Sequence, residues 1–173
     1  GVYVYINGQE VGYSEDSKNP AEFLINKYVK PGKNVLTLKI FRWSTGSYLE
    51  CQDFWRISGI ERDVYLYSQP KAALKDFRIT STLDDSYKNG VFALNVDLRN
   101  HRPAATNLTL AYELLDAQGK VVATEEKTTY VPVNETRTLS FDKNLTDVHT
   151  WTSEHPNLYK LVMTVKEEGK VNE

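Results

Sequence analysis

Apolar residues recur at every second position along much of the chain, the spacing typical of strands with one buried and one exposed face. The clearest example begins at residue 92, where the apolar residues Phe92, Leu94, Val96 and Leu98 alternate with the polar residues Asn95, Asp97 and Arg99. The same pattern predicts six strands after residue 73: 74–83, 92–98, 108–114, 121–131, 136–141 and 158–165. No helical period separates them. The chain is therefore predicted to be all-β.

The first 70 residues are predicted to begin with a hairpin. Strand 2–6 runs into Asn7-Gly8, a pair that tolerates the positive φ angles of a tight turn, so 9–13 can return beside it. Two more strands are predicted, at 34–43 and 62–67. Within 21–29 there is room for one short helical turn, and at 44–59 the periodicity fails, which predicts a long ordered loop.

A boundary is predicted near residues 69–73, around Pro70. Residues 1–70 hold about four strands, whereas a jelly roll needs eight, so this module is expected to be the second part of a jelly-roll sandwich. Residues 71–173 have the short, evenly spaced strands of an immunoglobulin-like β-sandwich, which usually has seven. We therefore expect the last strand to be missing and the chain to be a piece of something longer.

Charge and composition exclude several classes of partner. The 21 Lys and Arg against 23 Asp and Glu give a net charge of -2, without the basic cluster that nucleic-acid binding needs. The longest apolar run, 2–6, is far too short to span a membrane. One cysteine, Cys51, leaves the redox compartment open, so the sequence does not decide between a cytoplasmic and a periplasmic location.

The densest group of candidate functional residues lies at 47–67, SYLECQDFWRISGIERDVYLY. It combines carboxylates with flat aromatic side chains. This mixture suits sugars, because sugar hydroxyls need hydrogen-bond acceptors and the C–H faces of a sugar ring stack well on aromatic rings. The alternative is a structural loop that covers a sandwich edge, with Trp55 buried and Arg56 paired to a carboxylate.

Three segments of the sequence resemble the β-galactosidases of glycoside hydrolase family 2. They are NGQEVGYSEDSKNPAEF at 7–23, PGKNVLTLKIFRWSTGSYLECQDFWRISGIERDVYLY at 31–67 and WTSEHPNLYKL at 151–161. In that family a jelly-roll sugar-binding domain and an immunoglobulin-like domain precede a catalytic (β/α)8 barrel. The resemblance implies that this chain holds the second half of the first domain and nearly all of the second.

The resemblance also implies a retaining mechanism whose two glutamates lie in the barrel. A barrel takes about 250 residues, more than the whole chain, so the isolated chain is expected to be inactive and to carry no catalytic residue. Asp53 falls on the aspartate of the family's QD[MF]WR motif, which contacts galactose hydroxyls and a monovalent cation. Trp55 and Arg56 would support that loop. The alternative for Asp53 is an ion pair with Arg56 or Arg62.

The cofactors and partners that the resemblance implies belong to the longer protein. It implies a sodium ion, with magnesium as a second candidate, a β-galactoside substrate and the barrel of the same polypeptide as partner, and no cofactor in this piece alone. Unpaired sheet edges also predict that the piece self-associates. Two alternatives stay open: a stand-alone carbohydrate-binding module in which Tyr48, Phe54 and Trp55 bind glycan without catalysis, and a purely structural sandwich.

Overall fold

Antiparallel strands make up nearly all of the regular secondary structure, with a single short helix among the residues described. The computed structural model describes residues 1–16, 19–50, 55 and 57–173. These residues divide into two compact units, Gly1–Leu66 (unit 1) and Tyr67–Glu173 (unit 2). The prediction of an all-β chain is confirmed.

Unit 1 is built on a three-stranded sheet in the order β2-β1-β3, with β1 at Val2–Ile6, β2 at Gln9–Ser14 and β3 at Leu36–Ile40. The predicted hairpin is confirmed: Ile6 pairs with Gln9, and the turn residues Asn7 and Gly8 have φ angles of 52° and 80°. Positive φ at both turn positions gives the tight reversal that matches the twist of the two strands.

One face of this sheet is partly covered by apolar packing. Val4 and Ile6 are buried on one face, where the Phe23 ring packs directly over Gly12. A Cβ on Gly12 would lie 2.7 Å from that ring, so any larger residue at this position would displace the ring. On the same face, β3 leaves Leu36 half exposed, which means that the described residues of unit 1 cover only part of its apolar surface.

Unit 2 contains seven strands in two sheets. One sheet has the order β4-β5-β8 and the other β10-β9-β6-β7, and all pairs are antiparallel. The strands are β4 Ala72–Leu83, β5 Gly90–Asn100, β6 Thr106–Leu115, β7 Val121–Val131, β8 Thr136–Leu145, β9 Lys160–Glu167 and β10 Lys170–Val171. The six predicted strands of this part are all present, and a two-residue β10 adds to them.

The core of unit 2 follows the period-two pattern. On β5 the side chains of Leu94, Val96 and Leu98 are fully buried, and the residues between them are partly exposed. Tyr112 lies between Phe92 and Phe141, with ring centroids 5.6 and 5.2 Å away. The inner faces of the two sheets therefore pack on each other, as in a β-sandwich.

Three local predictions for the first 67 residues differ from the structure. Residues 62–67 form no strand, although their sequence alternates. Segment 21–29 contains a hydrogen-bonded turn, from the Tyr28 N–H to the Ile25 carbonyl, rather than a helix. The loop 44–59 begins with a helix, α1, at Thr45–Leu49.

In the part of the chain that the structure describes, no helix has the length and apolar character to cross a membrane.

Candidate functional site

The loop 44–59, which carries the predicted site residues, starts from a fixed helical turn. α1 follows β3 within a few residues, and the Ser47 hydroxyl accepts a hydrogen bond from the Ser44 N–H at 3.0 Å, which holds the first turn. Asp53 and Arg56 lie outside the described residues. Trp55 is 85% exposed, so the alternative in which this side chain is buried is wrong.

Glu15 attaches this loop to the sheet. Its carboxylate accepts a hydrogen bond from the Gly46 N–H at 3.0 Å and further hydrogen bonds from the hydroxyl and backbone N–H of Thr45. The Tyr13 hydroxyl also donates to Glu15. One carboxylate at the end of β2 thus satisfies N–H groups at the start of α1 that have no partner within the helix.

The contact between Tyr13 and Glu15 shifts the pKa values of the two groups in opposite directions. The hydrogen bond to Glu15 raises the pKa of Tyr13 to about 12, with burial and the charge of Glu15 acting in the same direction. The same hydrogen bond lowers the pKa of Glu15, against a smaller opposing effect of burial. Both shifts favour a neutral phenol donating to an ionised carboxylate over a wide pH range.

Close packing fixes the position of α1. Gly46 is buried, and a Cβ built there would lie 3.3 Å from the Glu15 carbonyl oxygen and 3.3 Å from Oε1 of Glu50. Both distances are tighter than ordinary side-chain contacts. The helix can therefore approach the end of β2 this closely because residue 46 has no side chain.

Aromatic rings support Tyr13 from the neighbouring strands. The ring of Tyr3 on β1 lies 4.4 Å from that of Tyr13 and 5.8 Å from that of Phe41, measured between centroids. Lys39 places its Nζ 5.1 Å from the centre of the Phe41 ring. This cluster orients the Tyr13 hydroxyl toward Glu15, because the edges and faces of the rings fix the phenol between them.

Sequence reasoning did not assign a role to Tyr13, Glu15 or Gly46. The segment 7–23 was singled out for its resemblance to a family, but nothing in its local pattern indicates a contact 31 residues further along the chain. A carboxylate directly after a strand is a common surface residue. The role of Glu15 becomes visible only when β2 and α1 are brought together.

The loop and the residues after it present apolar side chains to solvent. We call residues 48–66 the exposed apolar segment, because its described members include Tyr48, Leu49, Trp55, Ile57, Ile60, Val64, Tyr65 and Leu66, each at least half exposed. So many exposed apolar side chains among the described residues of one segment are uncommon on the surface of a monomer, and such patches mark interaction sites. Among the described residues, no group of three metal-ligating side chains occurs.

Unit 2 has an open cleft of about 320 Å³ at one end of the sandwich. Lys143, His149 and Tyr159 are among its lining residues, and the Tyr159 hydroxyl accepts a hydrogen bond from the His149 N–H at 3.1 Å. At the same end, Trp151 forms an isolated β-bridge with Pro156. These contacts shape the turn before β9.

Two family models together match nearly the whole chain. The model described as "Glycosyl hydrolases family 2, sugar binding domain" matches residues 2–70, and the model described as "Glycosyl hydrolases family 2" matches residues 72–173. The second match alone covers more than half of the sequence.

Curated relatives are similar in sequence to nearly the whole chain. A beta-galactosidase of Priestia megaterium is 44% identical over 165 residues, which cover 95% of this chain and 16% of the relative. A beta-galactosidase of Clostridium acetobutylicum is 40% identical over 172 residues, which cover 99% of this chain and 18% of the relative. The chain thus spans about a sixth of the length of these proteins.

Solved structures share the fold at lower identity. A beta-glucuronidase of Bacteroides uniformis aligns with 98% of this chain and 22% of its own, with a TM-score of 0.88 and 20% identity. A putative beta-galactosidase of Bacteroides fragilis aligns with 99% of this chain and 27% of its own, with a TM-score of 0.82 and 23% identity. At these identities the likeness concerns the fold alone.

Proposed function

Because the chain belongs to family 2 of the glycosyl hydrolases, we propose that it is the non-catalytic amino-terminal region of a longer β-galactosidase, a retaining enzyme that removes terminal β-D-galactose. One observation carries this proposal: the named relatives at 34–44% identity are beta-galactosidases, and the chain aligns with them over 93–99% of its length. The beta-glucuronidase structures are less similar in sequence and support only the shared fold.

The proposed domains are the carboxyl-terminal part of a sugar-binding jelly roll, residues 1–70, and an immunoglobulin-like sandwich, residues 71–173. In this proposal, both catalytic glutamates belong to a barrel elsewhere in the longer polypeptide. Retaining hydrolysis needs two carboxyl groups about 5 Å apart across the scissile bond. The present chain would support that barrel and contribute a loop to the substrate site.

The loop 44–59 is the proposed contribution to the substrate site. Glu15 and the close approach of Gly46 hold the start of the loop on the sheet. In this proposal the loop presents Asp53 to the substrate, and Trp55 and Arg56, which follow closely in the sequence, support it. An ionised carboxylate suits sugar hydroxyls as an acceptor.

Asp53 is also the residue that would bind a monovalent cation, for which sodium is the candidate in the longer protein. A carboxylate oxygen is a hard ligand suited to such ions. A bound cation would add positive charge beside the sugar hydroxyls and fix the carboxylate. Magnesium stays a second candidate for the longer protein, without an assigned residue in this chain.

The exposed apolar segment supports the proposed partner, which is the rest of the same polypeptide. Leu49 is 81% exposed and Leu66 79%, values that leave both side chains in contact with water. Burial of such residues against another domain is favourable, at about 25 cal/mol per Å² of apolar surface. We therefore propose that 48–66 docks on the barrel.

The experiment compares two polypeptides on a chromogenic β-galactoside. The 173-residue chain is expected to give no hydrolysis above buffer, whereas the longer polypeptide, extended until the barrel is complete, is expected to turn the substrate over. Hydrolysis by the 173-residue chain itself would contradict the proposal, as would a complete longer polypeptide without glycosidase activity.

A second candidate function is a carbohydrate-binding module that acts without catalysis. The high exposure of Tyr48 and Trp55 favours it, since exposed aromatic faces can stack on sugar rings. Titration of the chain with lactose, followed by tryptophan fluorescence, distinguishes the two. Binding in the millimolar range by the chain alone supports the module, and an unchanged spectrum supports the first proposal.

A further inference from the structure

The open cleft at the end of unit 2 is lined from both sheets of the sandwich. Lys143 and Leu145 belong to β8 of one sheet, and Val122 belongs to β7 of the other. The volume of about 320 Å³ lies at the lower end of the range of small-molecule sites, about 300–1,000 Å³. This volume suits one small ring rather than an extended chain.

Half-buried apolar residues form one wall of the cleft. Val122, Leu145 and Tyr159 pack against the core of unit 2, and each also lines the cleft. Val148 is likewise half-buried, and a Cβ built on Gly90 would lie 3.0 Å from its Cγ1. Because the sandwich anchors these four side chains, the cleft has a fixed apolar wall that includes one aromatic ring.

Hydrogen bonds hold the segment 146–149 beside the start of β5. The Val148 N–H donates to the Lys88 carbonyl at 3.1 Å, and the Asp147 N–H donates to Oδ1 of Asn89 at 3.3 Å. Lys88 and Asn89 belong to the turn that precedes β5. Since this segment is already attached without a ligand, little conformational entropy is lost when one binds.

Polar side chains of both charge signs complete the lining. Lys143 carries a positive charge, and Asp116 and Asp147 carry negative charges. Oδ1 of Asp116 accepts hydrogen bonds from two N–H groups of its own turn, which fixes this carboxylate. Among the residues that the structure describes, Lys143 and Asp147 have no ion-pair partner. The cleft therefore offers one charged donor and two charged acceptors that do not neutralise one another by direct contact.

This combination matches the chemistry of a sugar ring. Sugar hydroxyls both donate and accept hydrogen bonds, so they can use carboxylate oxygens and a lysine ammonium group at the same time. The C–H face of the ring can lie on the apolar wall, where Tyr159 provides an aromatic surface. A charged ligand would meet a like charge in the same cleft, so the lining favours an uncharged one.

We propose that the cleft at the end of unit 2 binds a single hexose ring, with Lys143 and Asp147 contacting its hydroxyls and the apolar wall contacting its C–H face. This inference goes beyond the proposed function, which assigns sugar contacts in this chain only to the loop 44–59. It rests on that function only in the use of the longer polypeptide for its test.

The experiment follows methyl resonances of the longer polypeptide by NMR. Tryptophan is not among the lining residues, so tryptophan fluorescence does not report on this cleft. Galactose and glucose are titrated separately, and saturable shifts are expected at the methyl groups of Val122, Leu145 and Val148. The methyl groups of the fully buried Val96 are the control for folding and are expected not to shift. Glycerol, which has hydroxyls but no ring, is expected to give no saturable shift.

Two substitutions test the polar contacts. Lys143→Met removes the ammonium group but keeps an unbranched side chain, and it is expected to weaken the affinity at the cleft about tenfold, as for the loss of a hydrogen bond from a charged group. Asp147→Asn keeps a residue type that tolerates the positive φ of 51° at this position, and it is expected to act in the same direction. Lys71→Met, which lies just before β4 at the opposite end of unit 2, is the matched control and is expected to leave the affinity unchanged.

Absence of shifts at Val122, Leu145 and Val148 in a polypeptide whose Val96 resonances show a folded core would overturn the proposal. Shifts of equal size with glycerol would also overturn it, and so would an affinity that Lys143→Met leaves unchanged. Hydrolysis of a β-galactoside is assayed on the same polypeptide without substitutions. Saturable shifts without hydrolysis would refute the proposed function alone, and hydrolysis without shifts would refute this site alone.

Discussion

The carboxylate of Glu15 accepts a hydrogen bond from the backbone N–H of Gly46, 3.0 Å away, although the two residues are 31 positions apart. Through this contact the end of β2 holds the start of α1, and α1 begins the loop that carries Asp53. The sheet of unit 1 therefore determines where the candidate substrate loop starts.

The first prediction concerns the substitution Glu15→Gln. An amide at this position keeps the shape of the side chain but weakens the charge-assisted hydrogen bonds from Gly46 and Thr45. We expect amide hydrogen exchange in α1 to become several times faster, while exchange in β1 stays unchanged.

Glu10→Gln is the matched control, because Glu10 lies on the same hairpin and accepts a hydrogen bond from the Tyr5 hydroxyl at 3.4 Å. This substitution is expected to leave exchange in α1 as it is. Equal effects of the two substitutions would show that Glu15 does not hold the loop.

The second prediction concerns pH. The pKa of Tyr13 is raised to about 12 in the folded chain from 10.0, so the stabilisation from this phenol is present below pH 10 and is lost as the pH rises toward 12. The pKa of Glu15 is lowered from 4.5, so its stabilisation is present above pH 4.5 and is lost as the pH falls below it. Absorbance of tyrosinate during an alkaline titration measures the first effect.

Tyr13→Phe is expected to remove one late-titrating phenol from that curve. Glu15→Gln is expected to shift the titration of the Tyr13 phenol to lower pH. Tyr87→Phe, which changes a largely exposed tyrosine in a turn of unit 2, is the control and should leave the late-titrating phenol in the curve. A late-titrating phenol that persists in the Tyr13→Phe variant would contradict the assignment.

The sequence predicted the strands of unit 2 because their pattern is local. On β5, Phe92, Leu94, Val96 and Leu98 face the core, and the polar residues Asn95, Asp97 and Arg99 lie between or beside them on the other face. The two-residue period of the sequence therefore predicts this strand directly. The turn at Asn7-Gly8 was predictable for the same reason, since its conformation depends on the two residues that form it.

Features that depend on distant partners were not predictable. Residues 62–67 alternate like a strand, but no strand among the described residues pairs with them. α1 has five residues, too few for a helical period, and Glu15 from the end of β2 contacts its first turn. The exposure of Phe77 and Ile79 likewise depends on what lies opposite β4, which their own alternation does not encode.

The third prediction concerns self-association of the 173-residue chain. Among the described residues, no strand pairs with 160–164 on the side of β9 that faces away from β6, and open edges of this kind pair with other chains. We expect light scattering at high protein concentration to give a mass above the 19.8 kDa of one chain.

Met163→Pro removes an N–H from that edge and is expected to reduce the association, because proline is tolerated where the N–H side of an edge strand is unpaired. Thr164→Val, which changes the neighbouring residue on the other face, is the control. A monomeric mass at every concentration would contradict the prediction.

The fourth prediction concerns Asp53→Asn in the longer polypeptide. Loss of the charge weakens hydrogen bonds to sugar hydroxyls and the affinity for a cation, so kcat/KM for a β-galactoside is expected to fall about ten- to a hundredfold, as for hydrogen bonds to a charged group. The dependence of activity on sodium concentration is expected to weaken at the same time.

Asp85→Asn, in a turn of unit 2, is the control for a surface aspartate and is expected to leave both quantities unchanged. An Asp53→Asn variant with the parent's kcat/KM and sodium dependence would show that Asp53 has no role in binding substrate or cation. In that case the ion pair of Asp53 with Arg56 or Arg62 becomes the better explanation.

The central claim is that this chain is the supporting region of an enzyme that cleaves terminal β-D-galactose. The most direct test is the ratio of kcat/KM values of the longer polypeptide on matched nitrophenyl β-galactoside, β-glucuronide and β-mannoside. We expect the galactoside to be preferred by at least about a hundredfold, because a site built to bind particular hydroxyls discriminates strongly against sugars that place them differently. Cleavage of the glucuronide or mannoside with the galactoside left intact would contradict the account.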